Sequence, residues 1–202
     1  LIYLPIVRSS RWRWTWLLAT VVGGMGGVLA LQALQVVGPL LGFFELVTSV
    51  AALFAPGFFT GWMQARTFPY ALDLHRRWAL ATALGGAAAP FLTVLVASIT
   101  ALGDAASVLA AAPWTLLLII AVLGGATVGA IVGACQAVVL HDYSKHSRRW
   151  VLASAAGGLL ATTSTVWGLG SLPPLVLVLC MLVIYAVVTG FVFPSLLTPP
   201  RT

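Results

Sequence analysis

Apolar residues along the chain fall into six long runs separated by short polar breaks: Trp14 to Val36, Pro39 to Met63, Trp78 to Ala101, Pro113 to Leu140, Trp150 to Gly170 and Pro173 to Leu197. A helix crosses a bilayer with about 20 residues at ~1.5 Å per residue, and each run is that long. The pattern predicts an all-α membrane protein with six transmembrane helices, forming a single domain over residues 1–202, because the breaks are too short to hold a soluble domain. The first run exceeds the apolar core of a cleaved signal peptide and lacks an A-x-A exit, so it is read as a span.

The small and polar positions inside these runs recur. Trp16, Ala19, Thr20, Gly23 and Gly24 align without gaps on Trp78, Ala81, Thr82, Gly85 and Gly86, and again on Trp150, Ala153, Ser154, Gly157 and Gly158. A second element precedes the later two copies: Gly57, Gly61 and Gln64, then Gly129, Gly133 and Gln136, each Gln 14 residues before its Trp. The sixth run keeps only an echo at Gly190, read as an end with no following helix to meet. On a helix, Trp at i, hydroxyl at i+4 and glycine at i+8 share one face. Small residues let a neighbouring backbone come close, which matters in lipid because apolar surface gives helices little drive to associate. The tryptophans are expected to anchor helix ends at headgroup level, and the glutamines to cap loop carbonyls or hold an indole N–H. The repeat therefore reads as three related helical hairpins running in parallel, clasped through small residues, with packing favoured over ligand binding as its role.

The pattern G-x-x-x-G-x-x-Q-x-x-x-L, a short basic loop, then W-x-L-A with glycines is carried by Gly129, Gly133, Gln136, Leu140, Trp150, Leu152, Ala153 and Gly157. Gly57, Gly61, Gln64, Trp78, Leu80, Ala81 and Gly85 carry the other copy. It resembles a group of uncharacterised bacterial polytopic membrane proteins, and the resemblance covers most of the chain while bringing no activity with it. Those proteins often place Leu-Arg after the Gln-bearing turn; here Leu140 is followed by His141, so no role of that arginine carries over.

Composition agrees with the pattern: 61% of residues are hydrophobic and 7% charged, against roughly 25% charged in soluble domains. The charges add orientation. Arg8, Arg11 and Arg13 precede the first run; Arg66, Arg76 and Arg77 lie between the second and third; Lys145, Arg148 and Arg149 between the fourth and fifth; Arg201 follows the sixth. All fall on one side, so the positive-inside rule places both termini and both basic loops in the cytoplasm, and the resemblance implies a multi-pass protein of a bacterial inner membrane. The net charge of +6 then describes a face attracted to anionic lipid headgroups. Nucleic acid is not an expected partner, because the basic groups hug helix ends and form no module of their own.

Candidates for chemistry are few. Glu45 lies about 9 Å into the second run from Pro39 at ~1.5 Å per residue, and with Gln32, Gln35, Thr162 and Thr165, flanking Thr163 and Ser164, it defines a candidate outward polar pocket. The bland reading is that Glu45 reaches headgroup water and the hydroxyls bond back to their own helix. His75, His141 and His146 sit in basic loops, and His141 is the best placed as a pigment ligand; no metal site is expected. Pro56 and Pro90 free the carbonyls of Ala52 and Gly86, as hinges or as packing shape. Cys135 and Cys180 have no metal-ligand spacing and read as core residues. No Walker loop, H-E-x-x-H or G-x-S-x-G motif occurs, so no enzyme is expected.

The leading expectation is a non-catalytic integral membrane subunit or scaffold of a larger bacterial membrane complex, bioenergetic or photosynthetic, in contact with other membrane subunits, lipid, quinone or a chlorophyll-type pigment. The alternative is a small transporter or channel using Glu45 and the outer polar pocket.

Overall fold

The computed structural model describes residues 10–37, 45–68, 74–87, 114–142, 144, 146–168 and 172–196. Among them are six helices and no strand: α1 (Ser10–Val37), α2 (Glu45–Ala65), α3 (residues 74–87), α4 (Trp114–His141), α5 (Ser147–Gly168) and α6 (Pro174–Leu196). Proline and hydroxyl residues set several boundaries. Pro174 occupies the first turn of α6, where a missing N–H costs nothing, and Pro173 O accepts from Val176 N and Leu177 N. At the end of α2, Thr67 N and Thr67 Oγ1 both donate to Gln64 O, and Phe68 N donates to Ala65 O, turning Phe68 inward. Ser144 closes α4 through Leu140 O and receives His146 N just ahead of α5.

Three of these helices, not six, are long and apolar enough to cross a membrane: Arg11–Leu34, Leu118–His141 and Pro174–Pro194, of 24, 24 and 21 residues. Large apolar side chains also stand exposed on their outer faces, among them Leu18, Val22, Ile119, Leu123 and Leu179. A soluble monomer rarely shows so much contiguous apolar surface. The chain is therefore a helical protein of membrane type. Of the other three runs, two are described only in part and the third is less apolar. Of the run from Pro39, helix is described only from Glu45; of the run 78–101, only residues up to 87 are described; and α5 opens on Arg148 and Arg149 and is diluted by glycines and by Thr162, Thr163, Ser164 and Thr165. Pro90 lies outside the described residues. Pro56 sits inside a continuous α2, where Thr60 Oγ1 donates to its carbonyl at 2.7 Å.

The helices pack in a closed ring. α1 lies against α2, α4 against α5, and α5 against α6. α3 joins α2 through Gly57, which meets Thr82 and Gly86, and joins α4 where Gly85 meets Val132. The expectation of an unpartnered sixth helix is corrected here: α6 packs on α1, with Gly190 against the Trp16 indole and Leu182 against Gly24. The last helix finds its partner in the first, which closes the ring.

Doubled glycines are explained by this ring. At Gly86 a Cβ would fall 2.9 Å from Gly57 Cα on α2, while at neighbouring Gly85 it would fall 2.6 Å from Val132 Cα on α4. One glycine admits the preceding helix and the next admits the following one, so α3 is approached closely on two sides. Gly23 and Gly24 do the same for α1 with α2 and α6, and Gly157 and Gly158 for α5 with α6 and α4. By contrast Gly26 and Gly124 face open space.

Candidate functional site

The starts of α1, α3 and α5 converge with the ends of α2, α4 and α6. Trp16, Trp78 and Trp150 are each fully buried, and their ring centroids form a triangle with sides of 6.1, 5.9 and 5.7 Å. Phe193 from α6 covers it, stacked on Trp16 at 5.1 Å and edge-on to Trp150 at 5.2 Å and Trp78 at 6.0 Å. Trp12 stacks on Phe193 at 5.1 Å, and Phe68, Leu74 and Leu140 complete the cluster. The expectation that the repeated tryptophans anchor helix ends at headgroup level is corrected: they point at one another. A helix face that buries hydroxyl and glycine one and two turns along must bury its tryptophan as well.

Each indole N–H is met by a side chain of the neighbouring even-numbered helix. Trp78 Nε1 donates to Gln64 Oε1 at 3.1 Å, and Gln64 Nε2 donates to Thr20 Oγ1 at 3.0 Å. Trp150 Nε1 donates to Gln136 Oε1 at 2.8 Å, and Gln136 Nε2 donates to Thr82 Oγ1 at 2.8 Å. Thr20 and Thr82 donate in turn to Trp16 O and Trp78 O. An indole can only donate, so it fixes the amide orientation: oxygen to the tryptophan, nitrogen to the hydroxyl. One glutamine thereby ties together the helix before it and the helix after it.

The third junction is built differently. Trp16 Nε1 donates to Thr189 Oγ1 at 3.2 Å, and Thr189 donates to Tyr185 O. Ser154, in the place of Thr20 and Thr82, and the Tyr185 hydroxyl face each other buried and without a hydrogen bond of good geometry. Thr189, Tyr185 and Phe193 had not been singled out from the sequence. The signal was spacing alone: Leu182, Ala186, Thr189 and Phe193 keep the intervals of Gly57, Gly61, Gln64 and Phe68 and of Gly129, Gly133, Gln136 and Leu140.

The other candidates are not brought together by any described contact. Gln32 is exposed, and the side chains of Gln35 and Glu45 lie outside the described residues. Thr163, Ser164 and Thr165 donate to Leu159 O, Ala161 O and Thr162 O of their own helix; Thr162 also reaches Ala121 O on α4 at 2.7 Å. His141 is exposed at the last turn of α4, and His75 Nε2 lies 3.0 Å from Phe68 O. Among the described residues no three His, Cys, Asp or Glu side chains could share a metal ion, and both cysteines are free. The one described ion pair, Arg77 with Asp142 at 3.5 Å, joins α3 to the end of α4 with both side chains well exposed, where such a pair is worth little.

Indoles, amides and hydroxyls of this kind have no titratable member near neutral pH and include no activated nucleophile. The arrangement can fix helices against one another. Comparison with family models, with curated proteins and with solved structures gives no match, so the functional reading rests on geometry.

Proposed function

We propose that the chain is a non-catalytic, multi-pass subunit or scaffold of a larger membrane complex, with six spans arranged as three parallel helical hairpins. Its place is the bacterial inner membrane, with both termini and the basic turns in the cytoplasm; bioenergetic or photosynthetic complexes are the class of assembly. The single observation that carries this reading is the closure of the arginine-bearing end by Trp16, Trp78, Trp150 and Phe193. A transport path along the bundle axis would have to pass through these packed rings. Gln64 and Gln136 are engaged by the indoles and by Thr20 and Thr82, and Thr163, Ser164 and Thr165 by their own helix. What remains for contact is the apolar outer surface, which suits lipid, partner helices, or a quinone or pigment ring held between subunits.

The test is purification from native membranes in mild detergent, followed by native mass spectrometry. Recovery with constant partner chains or a bound cofactor is the result expected. A lone homo-oligomer that supports Glu45-dependent flux in liposomes would replace this reading with transport.

A further inference from the structure

We infer that the outer face of α2 at the arginine-bearing end is a binding station for one anionic phospholipid; this rests on the membrane reading above. The Arg66 guanidinium carbon lies 5.4 Å above the Trp62 ring, and Trp62 is stacked on Phe58 at 5.9 Å with 26° between planes. Residues 58, 62 and 66 follow each other at one-turn intervals, with Arg66 in the turn just past Ala65, so the three groups form a ladder at the end of α2. Both rings are open to the surroundings, Trp62 at 39% and Phe58 at 38%.

Stacking engages the flat face of a guanidinium and leaves the N–H groups around its edge free to donate. No described carboxylate takes them, since the ion pair among the described residues is Arg77 with Asp142. A phosphodiester fits this fork with two parallel hydrogen bonds. The rings below supply what a free phosphate would not use: an apolar strip running from the charged end toward the middle of the helix, on which an acyl chain can lie. Arg13 over Phe191 at 4.8 Å repeats the construction between α1 and α6, on a ring that is 61% exposed.

The experiment is native mass spectrometry of the full chain in mild detergent, with equimolar phosphatidylglycerol and phosphatidylcholine as probes. Wild type is expected to retain phosphatidylglycerol preferentially, and Arg66→Gln to lower that preference about fivefold, the effect of one basic residue near an anionic surface. Arg66→Lys keeps the charge but not the fork, and should give a smaller loss. Arg148→Gln removes an exposed arginine that lies over no ring among the described residues, and should change the preference least. Equal losses for Arg66→Gln and Arg148→Gln, or none for Arg66→Gln, would overturn the inference, as would displacement of the lipid by equimolar inorganic phosphate. If the protein needs detergent for extraction and Arg66→Gln still leaves lipid binding unchanged, the station is wrong and the membrane reading stands. Recovery in the soluble fraction would remove both.

Discussion

Two of the three junctions in the ring are bridged by glutamine and the third is not. Gln64 and Gln136 each span from the hydroxyl of one helix to the indole of the next, whereas Thr189 reaches only Trp16 and leaves Ser154 facing Tyr185. Tryptophan keeps the same inward placement in all three. Packing of rings and small residues is thus common to the ring, and the double hydrogen bond is an addition at two of its seams. Lipid offers no competing partner for a stranded N–H, so the added bonds specify which neighbour each helix takes more than they drive association.

The largest expected effect comes from breaking the close approach that all junctions share. A Cβ at Gly133 would fall 2.7 Å from Ser154 Cβ and 3.0 Å from Val151 Cα, and Gly129 lies against the Ser154 carbonyl. Gly129→Leu with Gly133→Leu should cost at least about 3 kcal/mol from overpacking, read as lost thermal stability in detergent. Gly26→Leu and Gly124→Leu, at positions facing open space, should stay within about 0.5 kcal/mol. Equal sensitivity of the two pairs would remove the distinction between packed and open glycines.

Next come the seams. Gln136→Leu strands the Trp150 N–H and also cuts the tie to Thr82, for about 2–3 kcal/mol, while Thr189→Val strands the Trp16 N–H alone, for about 1 kcal/mol. Unfolding in bicelles measures both, and a larger loss at Thr189 would reverse the ranking of the seams. The smallest effect separates equivalent hydroxyls. Thr82→Val leaves Gln136 Nε2 without its acceptor and should cost about 1 kcal/mol, near the upper end seen for bonds between membrane helices. Ser154→Ala removes a hydroxyl that makes no well-formed bond and should be neutral within about 0.5 kcal/mol. A clear loss at Ser154 would mean that it is bonded to Tyr185 in the membrane.

The positions of Trp16, Trp78, Trp150, Gln64 and Gln136 were legible in the sequence because residue identity and spacing repeat together. The role of α6 was not, since Leu182, Ala186 and Thr189 share only the spacing. Its geometry also needed the ring closure, a contact between residues 173 apart that no local pattern reveals. The direction of the tryptophans was legible in principle. An aromatic at a helix end suits both a membrane interface and a core, and the buried small residues on its face decide for the core. Hydropathy marks α5 as a span less clearly than its neighbours for a related reason. Glycine and hydroxyl groups that permit close packing in α5 dilute the same run that would mark a span. The polar pocket rested on residues sharing a depth, and depth does not make contact: the α5 hydroxyls use their own helix carbonyls.

The most direct test is hydrogen exchange at the indole N–H groups of protein labelled with ¹⁵N at tryptophan. Trp16, Trp78 and Trp150 should exchange orders of magnitude more slowly than the exposed Trp14 and Trp114, with Gln64→Leu, Gln136→Leu and Thr189→Val releasing Trp78, Trp150 and Trp16 in turn. Exchange of those three indoles as fast as Trp14, or release of the wrong indole by each variant, would contradict the ring.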